Sequence, residues 1–359
     1  MSKFSGGDGT AGNPFLISTP QDLIDINTTD EAFHFLQIND LDFSSVGPIS
    51  PITSSDGWTF SGVYDGGLNI ISNITIDVGD SEGGLFKILT GATIKDLIVN
   101  NIKVYGNNEI GSIASYSQGS TFTSIEVAGA DLFSRSESLI GGFVKELTSN
   151  SVVDKCSVTG NANSSLSNGF SYRVDGSSVT NCYADLAIIS NETIIDYASN
   201  FINDCENSVV RMCYSVSNIS NSNARGLLST EIIPMYKLGC TSCYENVEHG
   251  ITDIPWKQSD YRRYKVGELV RGHSDMLYEC IKEVSINEYP HSPGTASGWQ
   301  EYWKLIAPNT MPTTRGTEQM KTKSNYVGWD FDKVWTIKEG EDYPRLRMVK
   351  ICKSMGMPL

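Results

Sequence analysis

Long apolar segments are missing from this sequence. No stretch approaches the roughly 18 apolar residues that a membrane-spanning helix requires. The N-terminal stretch MSKFSGGDGT also lacks the apolar run of a secretory signal, which is roughly seven to fifteen residues long. We therefore expect no membrane insertion and no export signal within this chain, and we interpret Met1 as a natural start.

Basic residues are few. The chain has 27 lysines and arginines against 42 aspartates and glutamates, which gives a net charge of -15. An acidic surface repels the phosphate backbone of nucleic acids, so we expect no nucleic-acid partner. We interpret the excess of acids as a solubility feature rather than as a means of attracting a cationic ligand.

Catalytic motifs are absent as well. The sequence contains no Gly-x-Ser-x-Gly elbow, no phosphate-binding loop and no HExxH helix. Its four histidines are scattered: His34, His249, His273 and His291. We therefore predict that the protein is not an enzyme and uses no cofactor. One alternative stays open, a polysaccharide-degrading site assembled across coils from acids such as Asp154, Asp175 and Asp185.

No cysteine pattern predicts a metal site. Cys240 and Cys243 have the spacing of zinc ligands, but no second pair completes the set. Three of the eight cysteines, Cys156, Cys182 and Cys213, recur at one repeat position. We expect them to stack inward as buried thiols, although a disulfide between adjacent coils is geometrically feasible.

The sequence does contain a repeat, which runs from Phe60 to about Val247. Its marker positions are separated by steps of 28, 30, 27, 31 and 26 residues: Leu85, Ile113, Phe143, Phe170, Phe201 and Leu227. Apolar and polar residues alternate within each copy, which indicates strands, and no amphipathic helix lies between them. The pattern predicts an all-β protein, a right-handed β-helix (β-solenoid), with a propeller or a sandwich as the alternative.

The chain divides into four predicted segments: an N-terminal cap (1–55), the β-solenoid repeats (56–250), an aromatic-rich insertion (254–306), and a linker with a C-terminal cap and tail (307–359). In the first cap, PQDLIDI predicts a short helix after the N-cap residue Thr19, and FHFLQIND predicts the first strand. In the second cap, four apolar residues are expected to cover the far end of the solenoid: Trp329, Phe331, Val334 and Trp335.

Two copies of the repeat carry a family resemblance. GLFKILTGATIKDLIVNNIKV (Gly84 to Val104) and NGFSYRVDGSSVTNCYADL (Asn168 to Leu186) resemble GLUG-type repeats, which occur in β-solenoids of bacterial surface adhesins and phage appendages. The resemblance implies a location on a virion surface, as a phage appendage or on the capsid exterior, or otherwise at a cell surface. It also implies other virion proteins as partners, and a homo-oligomer such as a trimer. The natural start at Met1 favours the virion.

Residues 254–306 interrupt the repeat and are rich in aromatic residues. Tyr264, the stretch Gly267 to Val270, Tyr278 and the pair Trp299 and Trp303 resemble the small three-stranded carbohydrate-binding modules of chitinases. The resemblance implies a polysaccharide or cell-surface glycan as a partner, because aromatic rings stack on the apolar faces of sugars. We interpret Tyr264, Tyr278 and Trp303 as core residues. The predicted glycan-binding residues are Trp299, Tyr302, Tyr289 and Arg262.

These observations favour a non-catalytic virion-associated or cell-surface adhesion protein, in which a β-solenoid presents a carbohydrate-binding module. Each site would bind its glycan weakly, and many copies would add avidity. One alternative is a structural capsid decoration or fibre subunit that contacts only other proteins. The third hypothesis is a polysaccharide depolymerase.

Overall fold

The computed structural model describes residues 3–29, 32–53, 57, 59–136, 138–164, 166–189, 199, 201–206, 208–216, 218–219, 238–241, 244–246, 269–271, 277–282, 300, 303–307, 313–315, 317–326 and 328–347. The chain is nearly all β and forms a parallel β-solenoid of about 6 turns. A small antiparallel sheet lies near the C-terminus in sequence. The predicted fold class is therefore confirmed.

The first coils are built from the following elements: β1 Phe15–Ile17, α1 Pro20–Asp25, β2 His34–Gln37, β3 Leu41–Asp42, β4 Thr59–Phe60, β5 Val63–Asp65, β6 Ile70–Ser72 and β7 Thr75–Gly79. The predicted helix begins after Thr19, whose hydroxyl accepts the N–H of Asp22 at 3.2 Å while the Asp22 carboxylate accepts the N–H of Thr19 at 3.0 Å. This capping box fixes the start of the helix. Leu23 is buried in the solenoid core.

The predicted first strand is present but is second in order. It corresponds to β2, where Phe35 and Gln37 are buried and Leu36 is half-buried, as the alternation predicts. Strand β1 precedes it and pairs with it in parallel, with Phe15 opposite Phe35. The solenoid therefore begins about one coil earlier than the sequence pattern indicated.

The central coils contain longer strands: β8 Ile88–Thr90, β9 Thr93–Asn100, β10 Lys103–Gly106, β11 Ile110–Gly111, β12 Ala114–Gln118, β13 Thr121–Ser134, β14 Ile140–Gly141, β15 Val144–Thr148, β16 Val152–Asn163, β17 Ser167–Asn168, β18 Ser171–Asp175, β19 Ser178–Thr180 and β20 Tyr183–Ile189. The next coils contain β21 Ile202–Glu206, β22 Ser208–Arg211, β23 Tyr214–Ser215, β24 Asn218–Ile219, β25 Leu238–Thr241 and β26 Tyr244–Asn246. The strand pairs among these coils are parallel.

The repeat steps read from the sequence match the strand register. In the sheet of β8, β12, β15, β18 and β21, the paired positions are Ile88, Tyr116, Glu146, Arg173 and Asp204, which reproduce the steps of 28, 30, 27 and 31 residues. The marker phenylalanines are buried, and the rings of Phe143 and Phe170 stack with 4.9 Å between centroids. Leu227 lies outside the described residues. The marker residues therefore form the core row of the solenoid.

Corner residues with positive φ let each coil change direction. Five of them occupy equivalent positions in successive coils, with φ between 51° and 57°: Asp96, Ser124, Lys155, Asn181 and Met212. Residues other than glycine rarely adopt this left-handed conformation, and each such residue costs of order 1 kcal/mol. The cost recurs in every coil because the strand segments on either side of the corner pack against the same core.

The stacked cysteines are buried, as predicted, and the structure shows no disulfide among them, a point that the sequence left open. Cys156, Cys182 and Cys213 have no disulfide, and the Cys182 thiol interacts with the thiols of both others. Burial raises the pKa of Cys182 well above that of an ordinary thiol. Cys205 is also buried and forms no disulfide, in another strand of the coil. These thiols act as small apolar core groups.

The remaining elements are β27 Leu269–Arg271, β28 Leu277–Cys280, β29 Trp303–Ala307, β30 Thr313–Arg315, α2 Thr317–Met320, β31 Trp335–Thr336 and β32 Arg345–Leu346. Strands β27, β28 and β29 form the three-stranded antiparallel sheet within the predicted insertion. Strand β30 then pairs in parallel with β26 and returns the chain to the solenoid. No helix in the described ranges is long and apolar enough to cross a membrane.

The C-terminal segment, residues 317–347, packs against the side of the solenoid. Trp335 is fully buried, and its ring centroid lies 6.3 Å from that of Tyr183 and 6.0 Å from that of Tyr214. Tyr214 donates a hydrogen bond to the carbonyl oxygen of Pro344. The sequence led us to expect these apolar residues at the far end of the solenoid. Their described contacts lie on its side instead, because successive coils present an outward row of aromatic rings there.

Candidate functional site

The four predicted glycan-binding residues, Trp299, Tyr302, Tyr289 and Arg262, lie outside the described residues. The structure therefore neither places them nor brings them together. The backbone pairing of β27, β28 and β29 agrees with the three strands that the resemblance implied. Their assignment as glycan ligands stays a prediction.

The three acids named for a depolymerase site serve separate structural roles. Asp154 accepts hydrogen bonds from Thr180 and Asn181, both at 2.7 Å. Asp175 pairs with Arg173 at 3.2 Å, in a different sheet. Asp185 lies 3.9 Å from Arg345 of the C-terminal segment. The structure does not assemble these three acids into one groove.

Charged side chains on the sheet of β12, β15, β18 and β21 form ion pairs with one another and with Glu109. Lys145 is nearly buried and contacts the carboxylates of Glu109 and Glu146. Burial alone would lower the pKa of Lys145, but its hydrogen bond to Glu109 and the charges of both glutamates raise it. Arg173 lies among acids of its own and neighbouring coils. In the described part of the chain, no cluster of His, Cys, Asp or Glu could hold a metal ion.

An open groove on another side of the solenoid has a different character. Its volume is about 670 Å³, and it is lined by residues of four successive coils: Thr75, Lys103, Tyr105, Asp131, Phe133, Arg135 and Asn163. Because neighbouring strands lie about 4.8 Å apart, the groove extends on the order of 14 Å along the solenoid axis. We call it the Phe133 groove.

Strand alternation places the aromatic residues of the groove outward. Val104 and Leu132 are fully buried in the core, so their neighbours Tyr105 and Phe133 point to the opposite face. Tyr105 and Phe133 are register partners in β10 and β13. Phe133 is 38% exposed, one of few large apolar side chains in the described ranges with that exposure. The groove thus presents an aromatic surface to solvent.

Two cations flank this aromatic surface. The Arg135 guanidinium carbon lies 4.9 Å from the Tyr105 ring centroid, and the Lys103 ammonium lies 5.9 Å from it. Lys103 also pairs with Asp131 at 3.6 Å. Such cation–π contacts hold a charged group in place without neutralising it. An aromatic platform beside positioned hydrogen-bond donors suits a ligand that has both apolar faces and polar edges.

Sequence reasoning missed the Phe133 groove. The interpretation followed the inward positions of each repeat and assigned glycan binding to the aromatic-rich insertion. One signal was available, since Tyr105 and Phe133 are 28 residues apart, which is the step of that repeat, and both occupy an outward position. The residue types at outward positions vary from copy to copy, so these positions do not stand out in the repeat pattern.

Sequence comparison finds a match to part of the chain. No protein-family model matches the chain, so the likeness to GLUG-type repeats stays a resemblance. Halomucin from Haloquadratum walsbyi is 29% identical over 158 residues. That match covers 41% of this chain and 2% of halomucin, so this chain corresponds to a small part of that protein.

Structure comparison confirms the fold. A proposed immunoglobulin A1 protease from Bacteroides ovatus has a TM-score of 0.56 and 14% identity, with 96% of this chain and 95% of that chain covered. A second structure, named IgA1 protease, has a TM-score of 0.50 and 15% identity, with 84% of this chain and 25% of that chain covered. At these identities the likeness shows a shared β-solenoid architecture and does not extend to activity.

Proposed function

We propose that this chain is a non-catalytic binding segment of a surface or secreted protein, and that its solenoid binds a polysaccharide along the Phe133 groove. The observation that carries the proposal is the pair of outward aromatic residues, Tyr105 and Phe133, in register on adjacent coils. Aromatic faces stack on the apolar faces of sugar rings, and the neighbouring charged and amide groups can hydrogen-bond to hydroxyls.

Location at a surface or outside the cell is supported by the sequence match to halomucin. Halomucin, a segment of which shares sequence with this chain, is a cell-surface protein. The GLUG-type resemblance supports three further proposals: a location on a virion surface, a trimeric state, and other virion proteins as partners. The insertion, with Trp299, Tyr302, Tyr289 and Arg262, is proposed as a second glycan-binding surface. Two weak sites on one chain would raise avidity.

The names of the two structural neighbours also raise the question of proteolysis. The likeness rests on fold, and fold does not determine activity. Among the described residues, the one histidine is His34, which is half-buried in β2. No observation on those residues favours a nucleophile with an adjacent base. We therefore propose binding rather than peptide cleavage as the function of this chain.

A glycan array on the intact protein tests the proposal. We expect one glycan class to bind, and Phe133→Ala to weaken that binding by about tenfold, since covering the exposed part of an already partly buried phenylalanine ring contributes about 1.4 kcal/mol. Val152→Ala is the matched control, because Val152 is 41% exposed on a different strand segment. Equal loss in both variants, or no binding to any glycan, would contradict the proposal.

The array also distinguishes glycan binding from the alternative of a structural subunit that contacts only other proteins. If no glycan binds and Phe133→Ala instead changes the self-association measured by sedimentation, the groove makes protein contacts only. If glycans bind to the intact protein and Phe133→Ala leaves them bound, the insertion is the receptor site and the solenoid is its support.

A further inference from the structure

Within the part of the chain that the structure describes, the Phe133 groove contains one cation that no carboxylate contacts. Among the described residues, Arg135 has no carboxylate partner, whereas the other cation of the groove, Lys103, pairs with Asp131 at 3.6 Å. The Arg135 guanidinium instead lies over the ring of Tyr105. Its N–H donors are therefore available to a ligand in the groove.

Guanidinium geometry selects among anions. The planar fork of an arginine matches the two oxygens of a carboxylate, whereas a lysine acts as a point charge. Stacking on Tyr105 restricts the orientations of the Arg135 fork, so less conformational entropy is lost when a ligand binds. The exposed ring of Phe133 lies next to it, two residues earlier in the same chain segment.

The acids near the groove do not prevent Arg135 from binding a carboxylate. The negative charge of Asp131 is balanced by the ammonium group of Lys103. Asp77, the register partner of Tyr105 on the other side, uses its carboxylate to accept the N–H of Gly79 at 3.0 Å and is not part of the groove lining. Charges beyond about 8 Å are largely screened at physiological ionic strength. The net charge of -15 therefore does not prevent local recognition of an anionic group.

We propose that the Phe133 groove binds a polysaccharide of carboxylated sugars such as uronic acids, with a sugar ring on Phe133 and its carboxylate on Arg135. Tyr105 is the positioning residue for Arg135. The polysaccharide lies parallel to the solenoid axis, because the lining residues follow one another from coil to coil. This inference rests on the proposed function and names the class of glycan.

Three polymers test the inference on the intact protein by isothermal titration: polygalacturonate, dextran sulfate and neutral dextran. We expect the tightest binding to polygalacturonate. Arg135→Ala is expected to weaken it about tenfold or more, and Arg135→Lys is expected to restore part of the loss, because a lysine keeps the charge without the fork. Arg211→Ala is the matched control, an exposed arginine on β22.

The outcomes distinguish this inference from the function on which it rests. Dextran that binds as tightly as polygalacturonate overturns the carboxylate assignment, and so does tighter binding of dextran sulfate or unchanged affinity in Arg135→Ala. If a neutral glycan binds and Phe133→Ala weakens it, the proposed function holds and only this inference fails. If no glycan of any charge binds, both fail.

Discussion

Gly142 and Gly169 approach each other so closely in neighbouring coils that a methyl group on Gly142 would lie 2.1 Å from the carbonyl oxygen of Gly169. A similar contact occurs two coils earlier, where a methyl group on Gly84 would lie 2.3 Å from the carbonyl oxygen of Gly111. The recurring glycines of the repeat are therefore explained by backbone contact between coils. They let the chain bend tightly beside the buried row that contains Phe143.

We expect Gly142→Ala to destabilise the protein by about 3 kcal/mol, because the added methyl group meets backbone atoms that cannot move without shifting a whole coil. Gly12→Ala is the control, since nothing lies within 4 Å of a methyl group there. Its effect should stay within about 0.5 kcal/mol. Urea unfolding of both variants measures the difference. Similar midpoints for the two would contradict the close approach of the coils.

Glu126 should make stability depend on pH. It lies in register with Ile98 and Ser157 on the side that the C-terminal segment covers, and burial raises its pKa to about 7, while the charge of Arg345 opposes this shift. A raised pKa means that the folded state prefers the protonated form. The stabilising effect is therefore complete below about pH 4.5 and is lost as pH rises through 7.

The size of that effect can be tested with Glu126→Gln. The difference between pKa values of 4.5 and about 7 corresponds to roughly 3 kcal/mol between acidic and mildly alkaline solution. We expect the variant to be more stable than the wild type at pH 8 and similar to it at pH 4.5. Unfolding free energies measured across this range provide the test. Parallel curves for the two proteins would show that Glu126 is not the titrating group.

Trp335 should hold the C-terminal segment to the solenoid. Replacing it with alanine removes the ring that packs on Tyr183 and Tyr214, and such truncations cost about 3–5 kcal/mol. We expect faster hydrogen exchange in β31 and β32, with little change in β9 and β13. The control is Lys338→Ala, which removes an exposed ion pair with Glu341. Equal exchange in both variants would contradict side-on packing.

The arrangement of the core could be predicted from the sequence to a large extent. The steps between Leu85, Ile113, Phe143 and Phe170 equal the strand offsets because each coil must return to the same core row. The helix after Thr19 was also predictable, since its capping signal is local. Both features depend on residues that are close in sequence or that repeat at a regular step.

Surface features could not be predicted in the same way. The contact between Arg135 and Tyr105 joins residues of different coils at outward positions, which packing of the core does not constrain. The docking of Trp335 beside Tyr214 depends on a chain segment that returns from far along the sequence. Corner residues such as Met212 carry no local signal, because only the shape of the coil imposes their positive φ.

Tyr105 should influence polygalacturonate binding by positioning Arg135. Tyr105→Leu removes the ring face under the guanidinium, and we expect it to weaken polygalacturonate binding by about threefold to tenfold, in line with the strength of a cation–π contact. Tyr105→Phe keeps the face and should retain the affinity. Isothermal titration of both variants, with thermal unfolding as a check on the fold, makes the comparison. Equal loss in both would assign the role to the hydroxyl instead.

Magnetisation transfer from the Phe133 ring to a bound oligosaccharide tests the central claim most directly. With selectively labelled phenylalanine, tyrosine and tryptophan and a short oligogalacturonate, we predict nuclear Overhauser contacts between the ring protons of Phe133 and the sugar C–H groups, and their loss in Arg135→Ala. Contacts confined to residues of the 254–306 insertion, with none to Phe133, would contradict the account and assign glycan binding to the insertion.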